Sequence, residues 1–528
     1  MAKPISPLLL LAVWFLAAGT TAKNPIDEGP TPPGMLPAFV SLSVESSNFH
    51  DWAGTKVFKN DLTKHLVKHL SDAQFAPIAI RVGGKSADLT TFNKHRHTSE
   101  VRPCGEDHTD ATSLCVGRRF FQGYGAMRRR HTVLSHNFNL ATYNSSGRWT
   151  LNNTGSIVMC RYLHDETQVV ELGNEPDLYS TEHRRLPTYS IANYVEEWRK
   201  TRHQLDDFVK EACPEVSAKS FVKYMYPSIS SMNSQWDVAE MLKALNKEDA
   251  HRIDQVSVHH TMGRALQTSV TLEGLLMNHT AVKESVQQHV EYSKHILANF
   301  SAPYVLGQID VLTGGGAEGM TDTFGAALWA MDFSLAAAAS GAIKRLYFHQ
   351  DFDAASAAWR AVRPICTKAM FYGLFAAGTF LANSSRLAVT EFDVEPTGPS
   401  STVAGYRAYQ DGVLARVAIL NLKPYDIGAW THEKKMQPRS RRRFFIDVGV
   451  AESRWQLLRL AAPGAHYKDM ISFNGRHYSS DVIGMKDGAG AEVPGRNYDE
   501  AVWANDRGIV EVLVKDTEAV IMIQPEDV

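Results

Sequence analysis

Residues 168–178 read QVVELGNEPDL, a short apolar run that stops at Gly173 and hands over to asparagine, glutamate and proline. A run of this length bounded by turn residues reads as a buried strand, and its exit places a carboxylate, Glu175, where a loop begins. Seven runs of the same kind lie on either side of it, at 38–44, 77–82, 133–141, 218–226, 254–260, 303–309 and 343–349. The segments between them are longer and carry apolar residues at helix spacing; the one from 190 to 212 opens on a Ser190 cap. Eight strands interleaved with helices predict an α/β fold, a (β/α)8 TIM barrel over residues 36–381. A doubly wound open sheet is the alternative, but no G-x-G-x-x-G follows the first strand.

Beyond residue 382 the texture changes to runs with period-2 alternation, such as STVAGYRAYQ at 401–410, VLARVAILNL at 413–422 and GIVEVLVKDTEAVIMIQ at 508–524. This predicts an antiparallel β-sandwich domain over 382–528, with residues 24–35 as a candidate addition to it. The basic run Arg439, Arg441, Arg442 and Arg443 reads as a solvated loop in this region. Trp236 and Trp329 read as packing residues.

The chain has 528 residues, more than one compact core of ~50–250 residues usually holds, in keeping with a large barrel plus a second domain. Its 55 Lys and Arg against 57 Asp and Glu argue against a nucleic-acid partner recognised through bulk charge. Residues 1–22 combine an early lysine, an apolar stretch and small residues, the layout of a cleaved secretory signal peptide, so the protein is expected to be secreted and extracellular. No other stretch is long enough to span a bilayer, and no stable membrane insertion is expected. Asn144, Asn152, Asn278, Asn299 and Asn383 head N-glycosylation sequons. Cys104 and Cys115 bracket a polar loop that a disulfide can staple; Cys160, Cys213 and Cys366 cannot all pair, so a buried free thiol is expected. These spacings suggest no metal site and no cofactor. A monomer is expected.

In a barrel of this kind chemistry gathers at the carboxyl ends of the strands. The stretches ELGNEPD at 171–177, LGQIDVLTGGG at 306–316, FVSLSVESSNF at 39–49, IRVGGKSAD at 80–88, FFQGYGAM at 120–127 and HNFNLA at 136–141 together resemble glycoside hydrolase family 79, the family of heparanase and of fungal and bacterial β-glucuronidases. The resemblance implies a glycosidase acting on glucuronic-acid-containing glycans, with Glu175 as acid/base and residue 308 as nucleophile. It further implies that Asn174 donates to a sugar hydroxyl, that Gly314 and Gly315 cradle a uronic-acid carboxylate, and that Asp88, Glu45 and His259 line the sugar site. Adjacent His259 and His260 cannot easily share one ion, and no third ligand is spaced with them.

Residue 308 is glutamine. Its amide oxygen is neutral and weakly nucleophilic, and it forms no stable glycosyl ester, so the double-displacement reaction of a retaining glycosidase is impaired. Asp310, two residues on and on the same face of a strand, is a candidate substitute base. Ile309, Asp310, Val311 and Thr313 all depart from the family pattern, whereas Gly314 to Gly316 keep it. The alternative reading is a catalytically inactive uronide-binding protein on the same scaffold.

Overall fold

The eight runs close into a ring. In a computed structural model, parallel strands β1 (Val40–Glu45), β2 (Ile78–Gly83), β3 (Thr132–Phe138), β4 (Val169–Leu172), β5 (Lys223–Ile229), β6 (Ile253–Arg264), β7 (Tyr304–Thr313) and β8 (Ile343–Gln350) each pair with the next, and β8 pairs back onto β1. The structure describes residues 30–97, 101–104, 114–127, 130–140, 160, 169–215, 222–265, 267, 269–351, 353–394, 400–426, 438–478, 491–492 and 499–524. Residues 1–22, Asn144 and Asn152 lie outside them. Strands β6 and β7 run several residues past their expected ends, to Arg264 and Thr313, which brings Asp310 into the same strand as Gln308.

The helices obey the same rules that predicted them. Helix α1 (Asp61–Gln74) starts on Asn60, whose side chain accepts from Thr63 N, and α2 (Ile191–Ala212) starts on a capping box between Ser190 and Asn193. Helix α3 (His279–Ile296) is capped by Asn278, which accepts from Ala281 N and donates to Gly274 O, so this asparagine's amide is engaged. Asn299 is exposed and Asn383 half-buried. Helices α4 (Phe324–Ala339) and α5 (Ala369–Phe380) are apolar nearly all round because both their faces are covered, by the barrel on one side and the C-terminal strands on the other. Gly325 N donates to Ala465 O at 2.8 Å and Arg416 Nη1 to Ala382 O at 3.2 Å, tying these helices and their ends to the second domain.

That domain is an antiparallel sandwich. One layer runs Leu387–Glu391, Val403–Gln410, Val413–Asn421, Glu518–Ile523, Arg454–Ala461; the other pairs Arg441–Asp447 with Ile509–Lys515. Val417, Ile419, Trp455, Leu457, Val520 and Met522 of the first layer pack against Phe444, Ile446, Val510, Val512 and Val514 of the second. The basic run is therefore not a loop: Arg441 to Arg443 begin a strand whose inward side chains are Phe444 and Ile446, and Arg439 is pinned to the backbone oxygens of Asp516 and Ala462. Residues 30–35, the described part of the candidate addition, run beside the start of β8, where Lys344 Nζ donates to Pro33 O. Trp329 lies in the core, and Trp236 packs on Tyr189 and Tyr194. Among the described residues no helix is long and apolar enough to cross a membrane.

Disulfides join Cys104 to Cys115 and Cys160 to Cys213. The one free cysteine among the described residues is Cys366, and it is exposed, contrary to the expected buried thiol: the fourth cysteine found a partner 53 residues away along the chain, which no spacing rule discloses. Closing a loop of that length removes unfolded-state entropy worth on the order of 3–4 kcal/mol. A Cys213→Ala variant is accordingly expected to melt several degrees below the parent, a difference that a reducing agent erases.

The seam between the two domains holds a buried ion cluster. His279 Nδ1 lies 3.0 Å from Asp332 Oδ2, His279 Nε2 lies 3.2 Å from Glu391 Oε1, and Tyr406 donates to Asp332 at 2.6 Å. Burial alone would push the His279 pKa down, but the two carboxylates outweigh it and hold the pKa up at about 10. A pKa raised on folding contributes stability that is complete below the unfolded value of ~6.5 and is lost as pH climbs toward 10. His279→Gln should cost about 3 kcal/mol in urea unfolding near pH 6, shrinking steadily between pH 7 and 10.

Candidate active site

Strand β4 delivers its carboxylate through a strained corner. Gly173 adopts φ +81, and a Cβ there would sit 2.5 Å from the Tyr179 hydroxyl, so only glycine fits. Two residues later Glu175 itself is left-handed, at φ +50, and its N–H is held by Ser228 O at the end of β5. Pro176 then starts a short 3-10 turn. This backbone leaves the Glu175 side chain 22% exposed, with Oε1 2.8 Å from Nδ1 of His259, a buried residue in the middle of β6.

Arg81 links this corner to the far side of the barrel. It stands in the middle of β2, 1% exposed, and each nitrogen of its guanidinium is used. Nε donates to Glu171 Oε2 at 2.7 Å, Nη2 to Asn174 Oδ1 at 2.8 Å, and Nη1 to both Ser43 Oγ at 3.0 Å and Gln308 Oε1 at 3.1 Å. Glu171 also accepts from Asn137 Nδ2 at 2.7 Å and from the Ser228 hydroxyl. One fork-shaped cation thus fixes side chains from β1, β4 and β7, a task its planar geometry suits.

On β7 the Gln308 amide is bonded at its other end as well: Nε2 donates to Asp310 Oδ2 at 3.0 Å. Asp310 Oδ1 lies 2.7 Å from His349 Nδ1, and His349 Nε2 lies 3.5 Å from Glu45 Oε1. Glu45 closes this chain by accepting from the Ser86 N–H and hydroxyl. Burial opposes ionisation of Asp310 and Glu45, yet His349 between them outweighs it and holds both carboxyls below their usual range. Burial likewise opposes the His349 charge, and the two carboxylates overcome this and raise its pKa well above the ordinary imidazole value. The site therefore carries Glu45 and Asp310 as anions around an imidazolium.

Directly after β7, Gly314, Gly315 and Gly316 have φ of +76, +82 and +91. A Cβ at Gly314 would meet nothing within 4 Å, so it is the backbone conformation that asks for glycine at that position.

Asn174, Glu175 and His259 thus form one group, and Gln308, Asp310 and Glu45 another, with Arg81 between them. Asp88 lies behind Asn174. It is 1% exposed, and its oxygens accept from Leu140 N, Asn174 N and the Tyr179 hydroxyl. Burial raises its pKa despite these donors. It supports the backbone that presents Asn174. Among the described residues no group of three or more His, Cys, Asp or Glu is arranged to hold a metal. His260, next to His259, turns the other way and meets His289 Nε2 at 3.0 Å; burial keeps both rings neutral.

Arg81, Glu171, Asn137 and His349 were missed in the sequence. A usable signal is present: Arg81 interrupts IRV in an otherwise apolar strand, and Glu171 interrupts VVEL in another. Opposite charges inside two strands of one barrel must meet or remain unpaired in its interior.

Comparison with known proteins agrees with this geometry. The profile of the glycosyl hydrolase family 79 C-terminal beta domain matches residues 405–521. A beta-glucuronidase from Aspergillus niger is 31% identical over 524 residues, covering 96% of this chain and 93% of that protein. A beta-glucuronidase from Neurospora crassa is 28% identical over 441 residues, covering 80% and 77%. Among solved structures, a 4-O-alpha-L-rhamnosyl-beta-D-glucuronidase from Fusarium oxysporum 12S superposes with a TM-score of 0.71 at 19% identity, covering 94% of this chain and 99% of that one, a likeness of fold.

Proposed function

The chain belongs to glycosyl hydrolase family 79, and from that premise we propose that it is a secreted, monomeric glycoside hydrolase of the β-glucuronidase type, acting on glucuronic-acid-containing glycans. The observation that supports this reading is the Arg81 guanidinium bonded at once to Asn174, beside Glu175, and to Gln308, so that one cation ties together the two positions expected to carry the chemistry. Glu175 protonates the departing glycosidic oxygen, oriented by His259. Asn174 has given its oxygen to Arg81 and presents its NH2 to a sugar hydroxyl. The left-handed Gly314 and Gly315 receive the uronic-acid carboxylate. Gln308 cannot attack the anomeric carbon, so the second carboxylate is Asp310: ionised and fixed by His349, it activates a water on the opposite face of the sugar, and the reaction inverts.

A second reading, a uronide-binding protein without turnover, is favoured by one observation: both Asp310 oxygens and both ends of the Gln308 amide are already bonded within the protein. Initial rates on an aryl β-glucuronide, beside calorimetric titration with glucuronic acid, separate the two. The hydrolase reading expects turnover that Asp310→Asn reduces by about 10²-fold or more, the contribution of a positioned base. Binding without turnover in any variant selects the second reading, and neither binding nor turnover ends both.

A further inference from the structure

The contacts of Gln308 are directional. Its oxygen faces a cation, Arg81 Nη1 at 3.1 Å, and its nitrogen faces an anion, Asp310 Oδ2 at 3.0 Å. A carboxylate at 308 would keep the first contact and turn the second into two oxygens of like charge at hydrogen-bond distance, with Gln308 only 9% exposed. Asp310 has no slack to retreat, since its other oxygen is tied to His349, which reaches on toward Glu45. Building on the glucuronide reading, we infer that residues 308 and 310 share a single negative charge, held at 310 by the chain Gln308–Asp310–His349–Glu45, so that Gln308→Glu alone does not create a working nucleophile whereas Gln308→Glu with Asp310→Asn does.

In the double variant the same bond runs the other way. The amide introduced at 310 donates through its nitrogen to the carboxylate introduced at 308, and its oxygen accepts from His349. The carboxylate at 308 then attacks the anomeric carbon, forming an ester as the bond to the aglycone breaks and Glu175 passes its proton to the departing oxygen. Water adds to the same carbon in the second step, Glu175 takes up its proton, and the group at 308 leaves as a carboxylate. Gln308 and His349 are positioning residues in this scheme, since neither exchanges a bond with the sugar in the wild type.

Four full-length proteins test this: wild type, Gln308→Glu, Asp310→Asn and the double variant. Each is melted, and each is incubated with 2-deoxy-2-fluoro-β-D-glucuronyl fluoride and weighed by intact-protein mass spectrometry. The melting losses of the two single variants should exceed the loss in the double, and only the double should gain the mass of one fluorosugar at an appreciable rate, about 100-fold faster than Gln308→Glu. Melting losses that simply add, a double variant that fails to fold where Asp310→Asn folds, or equal labelling of Gln308→Glu and the double overturns the shared charge. Non-additive melting with no labelling in any protein supports the shared charge and counts instead against action on glucuronides, so the two failures are distinguishable.

Discussion

Glu175→Gln is expected to lower kcat/KM on a β-glucuronide with a poor leaving group by about 10²–10⁴-fold, the usual worth of a positioned general acid. The substitution is nearly isosteric, and its amide oxygen can still accept from His259 Nδ1, now 2.8 Å from the carboxylate. The left-handed backbone at φ +50 is unchanged as well. The loss should therefore appear in turnover and not in stability. A leaving group that departs without protonation should be hydrolysed with a much smaller defect, and this dependence on the aglycone separates loss of the acid from loss of the fold. Steady-state rates on a phenyl and a dinitrophenyl glucuronide give the comparison.

Arg81→Leu carries the second large effect, on stability. It strips Glu171, 2% exposed, of its cation and leaves only the Asn137 amide and the Ser228 hydroxyl to hold a buried charge. Breaking a buried pair by removing one partner costs about 3–5 kcal/mol, a large part of the ~5–15 kcal/mol that holds a typical domain together. Asn174 and Gln308 lose their common anchor in the same stroke, so uronide binding should fall with stability. Lysine is no substitute, because one ammonium cannot reach four acceptors from a planar fork. Urea unfolding of Arg81→Leu and Arg81→Lys should place both well below the parent, while an Arg81→Lys variant of parental stability would remove the hub role.

How far these conclusions were legible in the sequence depends on the distance between partners. The eight strands were found because each is a local apolar run, and the exit of β4 was found because Gly173 punctuates it, whereas β7 runs on past its apolar run to Thr313. The Arg81 hub was not, since its partners stand 90 and 227 residues away and meet only when the ring closes. His349 was hidden in the same way: nothing near IKRLYFH says that its imidazole faces Asp310. The small sheet of Thr90–Phe92, Leu114–Val116 and Arg102–Pro103 went unread because strands of two or three residues show no period. The basic run failed differently: the alternation of RRFFIDVGV at 442–450 is legible in the sequence, but the block of arginines at its start reads as a loop, whereas the strand already begins at Arg441.

The identity of the second carboxylate is the point on which the chemistry turns, and the first-formed anomer of the released sugar reports it directly. Proton NMR of an aryl β-glucuronide reaction, followed before mutarotation, should show α-glucuronic acid appearing first, with the signal lost in Asp310→Asn. Release of the β-anomer, at a rate indifferent to Asp310→Asn, would mean that another group attacks and that Asp310 is not the base.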